Sequence, residues 1–260
     1  MSASVPAGAA WAVVTAAGSG TRLGCAGPKA LVPVAGVPMV ARAVGGLLAA
    51  GIAGVVVTAP EDALEAFRAT LPQEGPRIRV VAGSASSRQA SVARGLAALP
   101  DLARLLGCRL EDGSPVLVHD AARCLVPADV VRRVVAAVEA GAVAVVPGLP
   151  VADTLKEIAP PEGGAAGASA PLAVVGTPDR TRLRAVQTPQ GFTWNVLARA
   201  HRAAADRAGS ESTAATDDAG LVESLGLPVS VVDGDQRALK VTTPLDLAVA
   251  ELLACSFAGP

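Results

Sequence analysis

The sequence predicts an α/β fold: a doubly wound, mostly parallel sheet from which a β-arm projects. Two observations predict the sheet. Short valine-rich runs recur with little apolar–polar alternation, as strands buried on both faces require. Helix-length segments separate them, the order of elements that builds a parallel sheet. A third observation predicts the arm: after Val151 the rhythm gives way to a Pro/Gly/Ala-rich stretch with extended ends.

The first strand is "WAVVTA" at 11–16 and the second "GVVVTA" at 54–59; "RIRVVAG" at 77–83, "PVLVHDAA" at 115–122 and "AVAVVPGLPV" at 142–151 follow. The intervening helices are expected over 38–50, 61–71, 87–99 and 127–140. Right-handed crossovers then bring the loops after the first, third and fourth strands to one edge of the sheet. The arm spans 151–190, two extended segments around a Pro/Gly/Ala-rich loop. A helix over 195–208, a polar loop and a helix over 218–225 come next. "PVSVVDG" and "ALKV" read as late strands, and "TPLDLAVAELLA" as a closing helix with Thr243 as N-cap and Pro244 at its first position. The whole chain, 1–260, reads as one domain with the 151–190 arm inside it.

With 260 residues the chain can bury a large core, and 51% hydrophobic but 2% aromatic content makes that a core of Val, Leu and Ala. A net charge of −1 gives no global attraction to nucleic acid or an anionic membrane, so any anion is held by local charge. Residues 43–60 carry no charge, but Gly51 divides them into a helix end and a strand, so no membrane span is expected. No cationic side chain precedes Arg22, against a secretory signal. Cys25, Cys108, Cys124 and Cys255 form no CxxC pair, so reduced thiols in the cytoplasm are expected.

Chemistry is concentrated first in "VVTAAGSGTRLGCAGPK", Val13 to Lys29, where a strand breaks into a glycine-rich loop with two cations and no acid. Glycine lets a phosphate approach the backbone amides without a Cβ in the way. A Walker loop needs lysine after its last glycine, but Cys25 follows Gly24. A dinucleotide fingerprint fails because Leu23 stands where its third glycine belongs and Thr58, not an acid, ends the second strand.

Gly18-Ser19-Gly20-Thr21-Arg22-Leu23 with Pro28-Lys29 instead resembles the signature of the sugar-phosphate nucleotidylyltransferase superfamily. Further along stand His119-Asp120-Ala121-Ala122-Arg123, Asp153-Thr154, Asp179-Arg180, Thr188-Pro189-Gln190, Thr216-Asp217-Asp218 and Lys240-Val241-Thr242. In that order, over positions 12 to 253, the chain resembles the 2-C-methyl-D-erythritol 4-phosphate cytidylyltransferases of the non-mevalonate isoprenoid pathway. That resemblance implies a Rossmann-like nucleotidyltransferase fold and an enzyme using CTP and a small polyol phosphate. It also implies Mg²⁺ held mainly through the triphosphate rather than by protein ligands, and a homodimer embraced by the 151–190 arm.

The resemblance assigns roles by position. Arg22 and Lys29 stabilise the transition state, where charge gathers on the α-phosphorus and the leaving pyrophosphate. Ala16, Ala17, Gly18 and Gly20 line the nucleoside and phosphates through backbone atoms, and Gly83, Arg88 and Ser91 frame the cytosine. Asp120, Ala121 and Arg123 border the ribose and the acceptor. Arg180 and Lys240 hold the acceptor phosphate in line, with Thr154, Thr188 and Thr216 bonding its hydroxyls or phosphate. His119 is expected to be structural, since a phosphate nucleophile is already ionised near neutral pH, and His201 is expected at the surface. Thr15, Ala30 and Ser84 depart from the family's usual residues. Two other readings stand beside this one. A cytidylyltransferase for ribitol 5-phosphate is disfavoured by Ala121-Ala122, and a non-catalytic nucleotide binder by the presence of Arg22, Lys29 and Lys240.

Overall fold

The structure is a computed structural model describing residues 9–18, 23–24, 27–71, 75–159 and 171–257. In chain order the strands are β1 (Trp11–Thr15), β2 (Pro33–Val34), β3 (Val37–Pro38), β4 (Gly54–Ala59), β5 (Ile78–Ala82) and β6 (Pro115–Asp120). They continue as β7 (Ala144–Pro150), β8 (Glu157–Ile158), β9 (Val174–Gly176), β10 (Arg184–Val186), β11 (Gln190–Thr193) and β12 (Ser230–Asp233). The helices are α1 (Met39–Ala49), α2 (Leu64–Thr70), α3 (Arg88–Leu105), α4 (Ala128–Glu139), α5 (Trp194–Ala203), α6 (Asp218–Glu223) and α7 (Pro244–Phe257).

The central sheet has the order β10-β7-β11-β6-β1-β4-β5, with β12 on β7. Strands β5, β4, β1 and β6 run parallel, so the chain winds outward in both directions from β1. β11 enters antiparallel between β6 and β7, while β12 lies parallel to β7. β11 and β10 follow one another along the edge of β7 opposite β12: β7 pairs with β11 at 144–145, with β12 at 145–148 and with β10 at 148–150.

Alternate residues of β1 feed two core layers, the period of two that a strand imposes. Ala12 and Val14 pack with Val44, Leu47, Phe67, Val130 and Val134 of α1, α2 and α4. Trp11 and Val13 pack on the other face with Val92, Leu96, Leu99, Leu197 and Leu221 of α3, α5 and α6. Two glycines permit the closest approaches of helix to sheet. A Cβ on Gly95 would lie 2.4 Å from Val13 Cγ1, and one on Gly191 2.4 Å from Val134 Cγ1. A third cluster joins α7 to the β2–β3 hairpin and the loop after β6 through Val34, Met39, Cys124, Val241 and Ala250.

The main strands and helices stand within a few residues of their expected positions. α3 runs on through Pro100 to Leu105, beyond its expected stop at 99. The 195–208 helix ends at Ala203 and tightens into a 3-10 turn over Ala205–Gly209. "ALKV" is no strand: a 3-10 turn over Gln236–Ala238 leads into an irregular run to Thr243. Thr243 does cap α7, its hydroxyl accepting the Asp246 N–H at 3.2 Å.

β8 and β9 pair antiparallel off the main sheet as a short ribbon, and the chain returns to the sheet at β10, before the expected end of the arm. Leu155, Ile158, Leu172, Val174 and Val175 are all exposed, so the ribbon buries little of its own apolar surface. Residues 43–60 divide as expected: α1 ends, Gly51 turns at φ 103° and β4 begins. Among the described residues no helix is long and apolar enough to cross a membrane.

Candidate active site

The carboxyl-terminal ends of β1, β5 and β6 open onto a cavity of about 520 Å³. An open parallel sheet places its ligands at such a crevice, where the winding reverses between adjacent strands. After β1 come Ala16, Ala17 and Gly18, whose carbonyl accepts the Lys29 N–H at 3.4 Å and so brings Lys29 to the cavity wall. After β5 come Ser84 to Ser87 and the first turn of α3, with Arg88 and Ser91. Ser87 caps that helix by accepting the Ala90 N–H at 3.0 Å. β6 ends in Asp120, Ala121 and Ala122, and Lys240 and Thr242 precede α7.

Asp120 is the electrostatic centre. Its Oδ1 accepts from Arg88 Nε at 3.1 Å and Thr15 Oγ1 at 3.2 Å, and its Oδ2 from Lys240 Nζ at 2.8 Å. Burial would push this carboxyl up, but the charges of Arg88, Lys240 and Arg123 overcome it and hold Asp120 well below the usual carboxylate range. Arg88 also donates to Asp218 Oδ2 at 2.7 Å. Burial opposes its charge, yet the two carboxylates prevail and raise its pKa. Thr15 thus contributes a hydroxyl to the same carboxylate.

Beneath Asp120 lies a polar layer that touches no part of the cavity. Thr188 Oγ1 accepts the Asp120 N–H at 3.0 Å and meets His119 Nδ1 at 2.9 Å. Burial pushes the His119 imidazole down to about 4, with the nearby Arg123 and Arg88 charges acting in the same direction and Asp120 opposing. His119 is therefore neutral at physiological pH and structural, as expected. Arg123 donates to Ala238 O at 2.7 Å and to Val186 O at 3.4 Å, and Val241 N donates to Ala122 O at 2.9 Å. These bonds tie the segment carrying Lys240 to the end of β6.

The cavity brings together most of the expected residues: Ala16, Ala17, Gly18, Lys29, Arg88, Ser91, Asp120, Ala121 and Lys240. Arg22, Gly20 and Cys25 lie outside the described residues. Three expected residues stand off the cavity wall. Thr188 bonds His119 and Asp120 through its hydroxyl, and Arg123 donates through its two Nη atoms to backbone carbonyls; neither lines the cavity. Gly83 sits behind the wall: a Cβ there would lie 2.9 Å from that of Ala17 and 3.3 Å from Ser91 Oγ, so its smallness lets the two loops meet. Thr154, Arg180 and Thr216 are exposed and line no part of this cavity in their own chain; Arg180 donates to Ala152 O within the arm.

His201 is also corrected. It is buried on α5, with Nε2 2.8 Å from Asp218 Oδ1. Its place was readable, since it falls four residues after Leu197 on the same buried stripe. Asp218, Glu211 and Thr242 had no assigned role; Glu211 and Thr242 line the cavity, and Glu211 Oε2 accepts the Arg88 N–H at 3.0 Å.

A doubly wound sheet with Gly18, two lysines and an arginine gathered at its switch point is the architecture of a nucleotidyltransferase. The family model described as IspD, 2-C-methyl-D-erythritol 4-phosphate cytidylyltransferase, matches residues 10–255. The chain belongs to that family. A 2-C-methyl-D-erythritol 4-phosphate cytidylyltransferase of Nocardia farcinica is 50% identical over 247 residues, 95% of this chain and 94% of that protein. One from Saccharopolyspora erythraea is 49% identical, covering 92% of this chain and 96% of its own. Among solved structures, the enzyme of the same name from Thermus thermophilus superposes with a TM-score of 0.68 at 36% identity, over 94% of this chain and 98% of that one.

Proposed function

We propose that this chain transfers the cytidylyl group of CTP to 2-C-methyl-D-erythritol 4-phosphate, giving CDP-methylerythritol and pyrophosphate. The observation that carries this reading is the convergence of Lys29, Arg88 and Lys240 on one cavity around Asp120, in a chain the family matches from 10 to 255.

The chemistry follows from charge. A phosphate oxygen of the acceptor attacks the α-phosphorus; the new P–O bond forms as the bond to the bridging oxygen breaks and pyrophosphate departs. Lys29, with Arg22 by resemblance, faces the charge that gathers on the α-phosphoryl group and the leaving group. Lys240 meets the acceptor phosphate, and its pairing with Asp120 keeps it in place before substrates arrive. The acceptor phosphate is ionised near neutral pH, so the buried, neutral His119 has no proton to remove.

Mg²⁺ fits as an ion carried in by the triphosphate. Asp120 already accepts from Thr15, Arg88 and Lys240, which leaves room for one further contact on Oδ2. Among the described residues no group of three His, Cys, Asp or Glu is placed to hold a metal. The ion's contribution is to neutralise triphosphate charge.

The homodimer belongs to the same proposal. The five exposed apolar residues of the ribbon need a covering surface, and a two-fold partner is the commonest solution. Thr154 and Arg180, which line no part of their own cavity, would then serve the partner's.

The test is pyrophosphate release scanned over four nucleotides with either methylerythritol phosphate or ribitol 5-phosphate. CTP with methylerythritol phosphate and Mg²⁺ should support turnover, with ribitol 5-phosphate much poorer. Equal or faster turnover with ribitol 5-phosphate would overturn the acceptor assignment.

A further inference from the structure

Asp218 is a buried carboxylate that the reaction above does not use. Its side chain is wholly buried, touches no part of the cavity, and has both oxygens engaged: Oδ1 with His201 Nε2 at 2.8 Å and Oδ2 with Arg88 at 2.7 Å. Its main chain is fixed as firmly. Gln190, on the inserted strand β11, accepts the N–H groups of Asp218 at 3.2 Å and Ala219 at 3.1 Å, while its own amide donates to Asp217 at 2.8 Å. A buried ion pair is an expensive way to gain stability, since desolvation offsets most of the Coulomb attraction. What it supplies well is a fixed position.

That position propagates. Arg88 forks between two acids, Nη1 on Asp218 and Nε on Asp120, so its guanidinium plane is set from both sides. Because Asp218 takes part of the Arg88 charge, Asp120 is shared rather than captured, and its second oxygen holds Lys240 at 2.8 Å. From the interior to the cavity the order is His201, Asp218, Arg88, Asp120, Lys240. Resting on the cytidylyltransferase reading of this cavity, we propose that Asp218 is a positioning residue for the transfer: through Arg88 and Asp120 it places the Lys240 ammonium against the acceptor phosphate. Remove the Asp218 charge, and Arg88 turns wholly onto Asp120, which loosens its hold on Lys240.

The experiment is a double-mutant cycle on kcat/KM for the acceptor, measured as pyrophosphate release in single turnovers at high enzyme concentration. Asp218→Asn is made in the wild type and in a Lys240→Ala background, with circular dichroism confirming that each variant is folded. In the wild type, Asp218→Asn should lower kcat/KM for the acceptor by on the order of 10²-fold, as misplacing a reacting group by about 1 Å does. In the Lys240→Ala background the same substitution should cost less than roughly threefold, because the group it positions is gone. A purely structural role gives equal losses in both backgrounds, and that result, or no loss in the wild type, overturns the proposal. His201→Ala provides a second arm. It releases the other oxygen of the same carboxylate while leaving the Arg88 contact, so a smaller loss with the same dependence on Lys240 is expected. Should Asp218→Asn not fold, this arm decides: a His201→Ala loss that is additive with Lys240→Ala contradicts the mechanism. Failure of the cytidylyltransferase reading itself is distinguishable, since wild-type protein would then release no pyrophosphate.

Discussion

Replacing Lys29 with alanine is expected to lower kcat by on the order of 10²–10³-fold, the usual cost of one transition-state donor. Lys29 lines the cavity and is half-buried rather than enclosed. The fold should therefore survive, and the melting temperature should change little. Loss of kcat with an unchanged KM for CTP marks an interaction made as charge develops on the triphosphate. Near-normal kcat with only a raised KM for CTP would instead make Lys29 a uniform binding group.

Mixing two inactive variants should restore activity. Lys29→Ala disables the cavity that carries it. Arg180→Ala disables, on this account, the cavity of the neighbour, because Arg180 sits on the exposed arm and reaches no part of its own. Co-refolded in equal amounts, half the dimers are mixed, and each mixed dimer holds one doubly defective and one intact site. About a quarter of all sites should regain activity by this two-fold arithmetic. If Arg180 serves its own subunit, no intact site forms and activity stays at the level of the separate variants. The exposed Leu155, Ile158, Leu172, Val174 and Val175 of the ribbon motivate the experiment, since a two-stranded element is marginal in water alone.

The strands that position the cavity were legible because they are buried on both faces and their residues say so locally: β4 spans Gly54–Ala59, a valine run bounded by glycine and proline. β11 was not. Gln190–Thr193 has no valine run, and its burial comes from β6 and β7, which lie far away in sequence. The cavity residues were reached through short motifs, and those at the ends of β1 and β6 and before α7 stand where the motifs implied. Motif matching could not tell a side chain that faces the ligand from one that holds such a side chain. Thr188 and Arg123 make supporting bonds of the second kind, to His119, Asp120 and the backbone near Lys240. The doubled acid Asp217-Asp218 hid the same distinction: Asp217 caps α6 by accepting the Gly220 N–H at 3.0 Å, while Asp218 turns inward to Arg88 and His201. Ion pairs across 130 positions of chain, as between Arg88 and Asp218, leave no local trace in composition or periodicity.

Attack at the α-phosphorus of CTP by the acceptor phosphate dictates the fate of labelled phosphorus. CTP labelled in either the α- or the γ-phosphate is incubated with enzyme, Mg²⁺ and methylerythritol phosphate. α-Label should appear in the CDP-linked product, mole for mole with γ-label in pyrophosphate. Release of α-label as free CMP, or transfer of γ-label to the acceptor, would contradict it.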